Sequence, residues 1–163
     1  MSVTSSSPPP SGLDEVRDLF YRVYVKLVWG GRFHTRGDAA ARIVFPLLPG
    51  RGTRVEIDRP GLEPWNICLQ RPGLVLREGS QYRIDLTIRS DHARRIVFGV
   101  WQDHPPWDNL GFFEETKISE HWVLLSRRFA AARDEEQAYL GLWLGGEDAA
   151  VEVRRCALRA FSG

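Results

Sequence analysis

With 163 residues, 43% of them hydrophobic and 11% aromatic, the chain carries enough apolar material for a two-layer core in one domain, which excludes a largely disordered polypeptide. Its 22 basic and 21 acidic residues leave a net charge of +1, so there is no electrostatic footprint for nucleic acid as a main partner. No apolar run approaches the ~20 residues of a spanning helix, and the best, Ile43 to Leu48, contains Pro46, so no transmembrane span is read.

Residues 1–12 form a Ser/Pro-rich arm, Thr4-Ser5-Ser6-Ser7 followed by Pro8-Pro9-Pro10, expected to be extended, as a linker or a docking element. The arm lacks both a basic start and an apolar h-region, so no secretory signal is read there, and a cytoplasmic or membrane-peripheral location is favoured. From Leu13 the spacing of Val16, Leu19, Phe20 and Val23 predicts a short helix. Period-two alternation of Tyr21, Val23, Val25, Leu27 and Trp29 then predicts a strand that ends at Gly30-Gly31.

Further strands are predicted over 40–45, 53–58, 65–70, 74–77, 81–90, 95–103, 112–117, 121–129, 138–145 and 151–159. Pro49-Gly50, Pro60-Gly61, Pro72-Gly73, Glu78-Gly79 and Gly145-Gly146 punctuate them, with no long helical pattern between. Residues 13–163 are therefore expected to be one all-β domain, an antiparallel two-sheet sandwich.

Because side chains alternate across a strand, parity divides inner from outer faces. The predicted core holds Trp65, Ile67, Leu69, Tyr82, Ile84, Leu86, Ile96, Phe98, Val100, Leu140, Leu142 and Leu144. Trp122, at the start of its strand, is also read as structural. The outer faces are left with Asn66, Cys68 and Gln70; with Arg95, Val97, Trp101 and Asp103; and with Tyr139 and Trp143 interleaved with glycines. Rings beside amide, guanidinium and carboxylate groups suit a sugar, whose C–H face stacks on an aromatic while its hydroxyls need planar polar partners. Arg89, Arg94 and Arg95 around one turn, and Arg127 and Arg128 on a strand, read as solvated strand edges. Cys68 and Cys156 fall on different strands and read as small buried residues.

Pro64-Trp65-Asn66-Ile67-Cys68-Leu69-Gln70, the Pro72 to Tyr82 segment, Gln102 to Trp107 and Leu140 to Gly146 resemble the jelly-roll carbohydrate-binding modules of the family 4/9 type. The resemblance covers Pro64 to Arg159. It implies a jelly roll whose concave sheet carries the ligand, with Arg95, Trp101, Tyr139 and Trp143 facing the cleft and Trp107 as a loop aromatic over it; Asn66, Gln70 and Asp103 complete the expected ligand-binding set. Such modules hold a structural calcium through an Asp in the last strand. Here Arg154 stands in that place, so no metal and no cofactor is expected. Arg127 occupies a position usually aromatic in the family.

No nucleophile elbow, His-Glu-x-x-His, phosphate loop or dinucleotide fingerprint is present. His34, His92, His104 and His121 are scattered and read as loop or strand-edge residues, while Asp103, Asp108, Glu114 and Glu115 are the acidic candidates for acid–base work. Three readings stay open. The first is a non-catalytic module for a glycan or sugar-containing ligand. The second is an accessory subunit of a protein assembly, soluble or at a membrane surface, contacted through the arm and the aromatic–basic stretch Phe20 to Trp29. The third is a small-molecule cyclase using Asp103 beside Trp101.

Overall fold

The computed structural model describes residues 31–44 and 52–161. The predicted arm, the helix from Leu13 and the Tyr21 to Trp29 strand lie outside the described residues. Among those described, ten strands follow in order: β1 (Arg32–Thr35), β2 (Ala40–Val44), β3 (Thr53–Arg59), β4 (Ile67–Leu76), β5 (Gln81–Ser90), β6 (Arg94–Gln102), β7 (Asn109–Ile118), β8 (Val123–Ala130), β9 (Glu135–Trp143) and β10 (Val151–Ala160). A single 3-10 turn, Pro64–Asn66, precedes β4.

The strands make two five-stranded sheets, a front sheet in the order β1-β4-β9-β6-β7 and a back sheet in the order β2-β3-β10-β5-β8. Every neighbouring pair is antiparallel. The expected all-β jelly-roll sandwich is the fold observed. No helix among the described residues is long and apolar enough to cross a membrane.

Period-two patterning explains the core. Ile84, Leu86 and Ile88 of β5 and Ile96, Phe98 and Val100 of β6 alternate with outward residues and meet Ile67, Leu69, Leu140 and Leu142 between the sheets. Each is at most 1% exposed, so each apolar side chain adds about 1.5–3 kcal/mol by leaving water. Between β7 and β8, where Phe112 meets Phe129 at 5.6 Å, an ion pair is added to the apolar packing. Arg127 donates from Nε to Glu114 Oε2 at 2.6 Å and from Nη2 to Oε1 at 2.8 Å, a bidentate pair that joins the two sheets.

The structure differs from the sequence expectations at four places. The strands predicted over 65–70 and 74–77 are one strand, β4, which passes Pro72-Gly73 through register shifts against β9. A bulge absorbs the extra residues, with Gly73 at φ 76°. The chain after Gly31 is a further short strand, β1, paired to β4. Trp65 does not enter the core: it sits in the 3-10 turn, where strand parity has no hold, and is 44% exposed. Arg94 is not a solvated edge but 2% exposed, donating from Nη2 to Leu144 O and from Nη1 to Ala149 O, both at 2.5 Å. Its guanidinium ties down the β9–β10 turn, and burial pulls its pKa to about 10.

Candidate functional site

The antiparallel registers fix which side chains meet on the outer face of the front sheet. One row runs His34, Cys68, Trp143, Val97 and Glu115 across β1, β4, β9, β6 and β7. The next runs Arg32, Gln70, Gly141, Gly99 and Phe113. A third pairs Tyr139 with Trp101 and Trp101 with Asn109. Rings therefore lie on both sides of a Gly99–Gly141 pair that has no side chain of its own.

The Trp101 indole fills that gap. A Cβ on Gly141 would stand 2.9 Å from Trp101 Cζ3, and one on Gly99 would stand 2.8 Å from Trp101 Cη2 and 2.6 Å from the Phe112 carbonyl oxygen. A Cβ at Gly141 would have to displace the ring, and one at Gly99 the Phe112 backbone as well. With the ring seated there, Trp101 stacks on Trp143 at 4.3 Å and 15° between planes, and on Tyr139 at 5.7 Å and 27°. Val97, Trp101 and Tyr139 are 4–6% exposed and form a second apolar cluster, separate from the main core. Trp101 is therefore the spine of the site, its faces spent on its neighbours, and not a free platform for a ligand.

Open ring surface comes from three other tryptophans. Trp143 is half-buried, and Trp65 meets it edge-on at 5.8 Å and 75°. The Pro64–Asn66 turn holds Trp65 in place because Asn66 Oδ1 accepts from the backbone N–H of Leu62 at 3.1 Å and of Glu63 at 2.9 Å. Trp107, 52% exposed, crowns the β6–β7 loop with a φ of 65°. A left-handed conformation at a large non-glycine residue costs about 1–3 kcal/mol and persists where the surroundings impose it. They do so here: Trp107 N–H donates to His104 O at 2.9 Å, Gln102 N–H to Asp108 O at 3.0 Å, and Asp103 N–H to Gln137 O at 2.7 Å. Beneath the loop, Glu135 accepts from Gln102 Nε2 at 2.8 Å and from Gln137 N–H at 2.8 Å, with His104 Nε2 at 3.2 Å. These bonds hold its carboxyl down to about 2.

The three tryptophans, with Trp101 and Tyr139 behind them, wall a cleft of about 280 Å³ whose remaining lining, among the described residues, is His34, Arg36, Cys68 and Gln70. Burial pushes the Tyr139 phenol up to about 12, with Gln70 as its hydrogen-bond partner, and the Cys68 thiol up to about 12 as well. Both stay neutral at ordinary pH, which leaves Cys68 without the thiolate that a nucleophile or metal ligand needs. The His34 imidazole is shifted down, first by burial and then by the charges of Arg36 and Arg32, so it too is neutral and offers one donor and one acceptor. A second cavity of about 180 Å³, lined by Leu62, Pro64, Arg95, Glu115 and Glu147 among others, shares Trp143 as its wall.

Of the residues expected from the sequence, Gln70, Trp101, Trp107, Tyr139 and Trp143 come together at the first cleft. Arg95 lies at the second cavity, its Nη1 3.3 Å from Glu115 Oε1. Asn66 and Asp103 line neither: Asn66 builds the Trp65 turn, and Asp103 accepts from Arg32 Nη2 at 2.5 Å. Trp65, His34, Arg36 and Cys68 belong to the lining and were not in the expected site set. Register is the signal that could have found His34, had β1 been recognised. Trp122 lies away from the cleft, before β8 of the back sheet, under the guanidinium groups of Arg154 at 3.9 Å and Arg89 at 4.9 Å. Cys156 is buried and unbridged. All four acidic candidates are in ion pairs, Asp103 with Arg32, Asp108 with Arg133, Glu114 with Arg127 and Glu115 with Arg95. Among the described residues no group of His, Cys, Asp and Glu gathers as a metal site.

The fold is similar to that of solved carbohydrate-binding modules. A solved structure described as CBM4 superposes with a TM-score of 0.71 over 80% of this chain and 86% of that one, at 20% identity. The BiXyn10A CBM1 domain gives 0.66 at 12% identity, covering 81% and 89%. The N-terminal cellulose-binding domain of Cellulomonas fimi β-1,4-glucanase C gives 0.62 at 12% identity, covering 82% and 90%. The likeness is one of fold. No protein-family model and no curated protein matches the sequence.

Proposed function

We propose that the protein is a non-catalytic binding module that takes a saccharide into the cleft on the outer face of the front sheet. The observation that carries this reading is the combination of partly open tryptophan rings at Trp65, Trp107 and Trp143 with the neutral polar groups of Gln70 and His34 on the floor between them. A pyranose lays its C–H face on an indole and turns hydroxyls toward such donors and acceptors. The cleft volume stands near the lower end of the ~300–1,000 Å³ typical of ligand pockets. Trp101 and Tyr139 support the open rings from behind, and the Arg95 cavity beyond Trp143 extends the path of a longer ligand. The ion-paired state of Asp103, Asp108, Glu114 and Glu115 favours binding over acid–base chemistry.

The test is a titration of the purified chain against a panel of plant, algal and microbial oligosaccharides by calorimetry. Binding to at least one of them is expected, weakened by about 1–3 kcal/mol when Trp143 is replaced by Ala. Absence of binding across the panel removes the proposal.

A further inference from the structure

The cleft is electrically one-sided. Among the described residues its lining contains Arg36 and no carboxylate. The acidic group whose charge reaches His34 and Tyr139, Asp103, is engaged by Arg32 at 2.5 Å, so those two charges offset each other. No ion pair with Arg36 occurs among the described residues. Its backbone N–H donates to Asn66 O at 2.8 Å, which anchors it beside the Trp65 turn. The Arg36 charge acts on His34, Cys68 and Tyr139 alike, so its potential covers the cleft floor from β1 to β9. The cavity beyond Trp143 has the opposite sign among the described residues, with Glu115 and Glu147 against Arg95.

We infer that the cleft selects a saccharide bearing an anionic group, the carboxylate of a uronic acid or a sulfate ester, set against the Arg36 guanidinium. The inference rests on the saccharide-binding reading above and adds the charge of the ligand to it. A planar guanidinium matches a carboxylate or sulfate with two parallel hydrogen bonds, which a neutral hydroxyl cannot return.

The experiment titrates the full chain with two matched pairs: an oligogalacturonate and its fully methyl-esterified form, and a sulfated oligosaccharide and its desulfated counterpart. One member of at least one pair, the anionic one, is expected to bind roughly ten- to hundredfold tighter than its neutral partner, the scale of a charged hydrogen bond. That ratio shrinks toward one in about 1 M salt, where the Debye length is about 3 Å. The pair that shows it names carboxylate or sulfate as the source. Arg36→Gln collapses the ratio, and Arg36→Lys, which keeps the charge and loses the fork, restores part of it, both with unchanged melting temperature. Equal or tighter binding of the neutral member in both pairs, or a ratio that survives Arg36→Gln, overturns the inference while leaving saccharide binding in place. No binding by either pair while a neutral member of the wider panel binds overturns the inference alone, and no binding at all removes both.

Discussion

Replacing Gly141 by Ala perturbs the site without touching the core between the sheets. The new Cβ would lie 2.9 Å from Trp101 Cζ3 and 2.9 Å from Tyr139 Cε2, against ordinary carbon contacts of about 3.5–4.0 Å. Both obstructing atoms belong to side chains, so the indole can lift by roughly 0.5–1 Å while β9 keeps its pairing with β4 and β6. It cannot slide along the strand, because Trp143 at 4.3 Å and Tyr139 at 5.7 Å flank it. Overpacking of this kind costs about 1–3 kcal/mol. For a domain of this size that is a fall of about 2–12 °C in melting temperature. The Trp101–Trp143 stack is a near-parallel indole pair, so the assay is near-UV circular dichroism beside thermal melting. Gly141→Ala should weaken the coupled indole signal and leave the far-UV strand spectrum intact. Gly99→Ala should cost more, because there the Cβ meets the Phe112 carbonyl oxygen at 2.6 Å and backbone cannot give way as a ring does. An unchanged near-UV spectrum and melting temperature in Gly141→Ala would refute the claim that the indole is seated on the glycine pair.

Other perturbations separate binding from stability. Trp107→Gly should keep the melting temperature or raise it slightly, since glycine adopts φ 65° without strain, while saccharide affinity falls by about 1–3 kcal/mol; a large loss of stability would mean that the loop depends on the ring. Glu135, held down to about 2, lends stability that is present above its ordinary pKa of 4.5 and is lost as pH falls through about 2. His104 is shifted up by Pro105 and Glu135, so its share is present below 6.5 and is lost as pH rises through the shifted value. Glu135→Gln should therefore flatten the melting-temperature profile on the acid side, and a profile that still matches the native protein's would contradict this. Calcium or a chelator should leave the melting temperature unchanged, since Arg154 lies on the Trp122 ring; a rise of many degrees with calcium would overturn that expectation.

The strands and the core were readable because β-branched and aliphatic residues alternate with polar ones over 81–90, 95–103 and 138–145, and burial of one face is what that alternation encodes. Trp65 was misplaced for the complementary reason: parity was extended through Pro64 into a 3-10 turn, which does not alternate. Pro72-Gly73 looked like a strand boundary, yet a bulge lets the chain keep pairing with β9. Trp101 was correctly put on the outer face, but its burial depends on Gly99 and Gly141 becoming neighbours across β6 and β9, a register that no single segment carries. His34 and Arg36 were invisible as site residues because β1 is only four residues long and acquires its place by pairing with β4.

The central claim, that the outer face of the front sheet holds a saccharide, is tested most directly by following the indole N–H resonances of the six tryptophans during a glycan titration. Trp65, Trp107 and Trp143 should shift together with the same affinity, while Trp122, before β8 of the back sheet and beneath Arg154, stays still and serves as the internal control. Shifts confined to Trp122, or a saturating ligand that leaves the three cleft tryptophans unmoved, would contradict it.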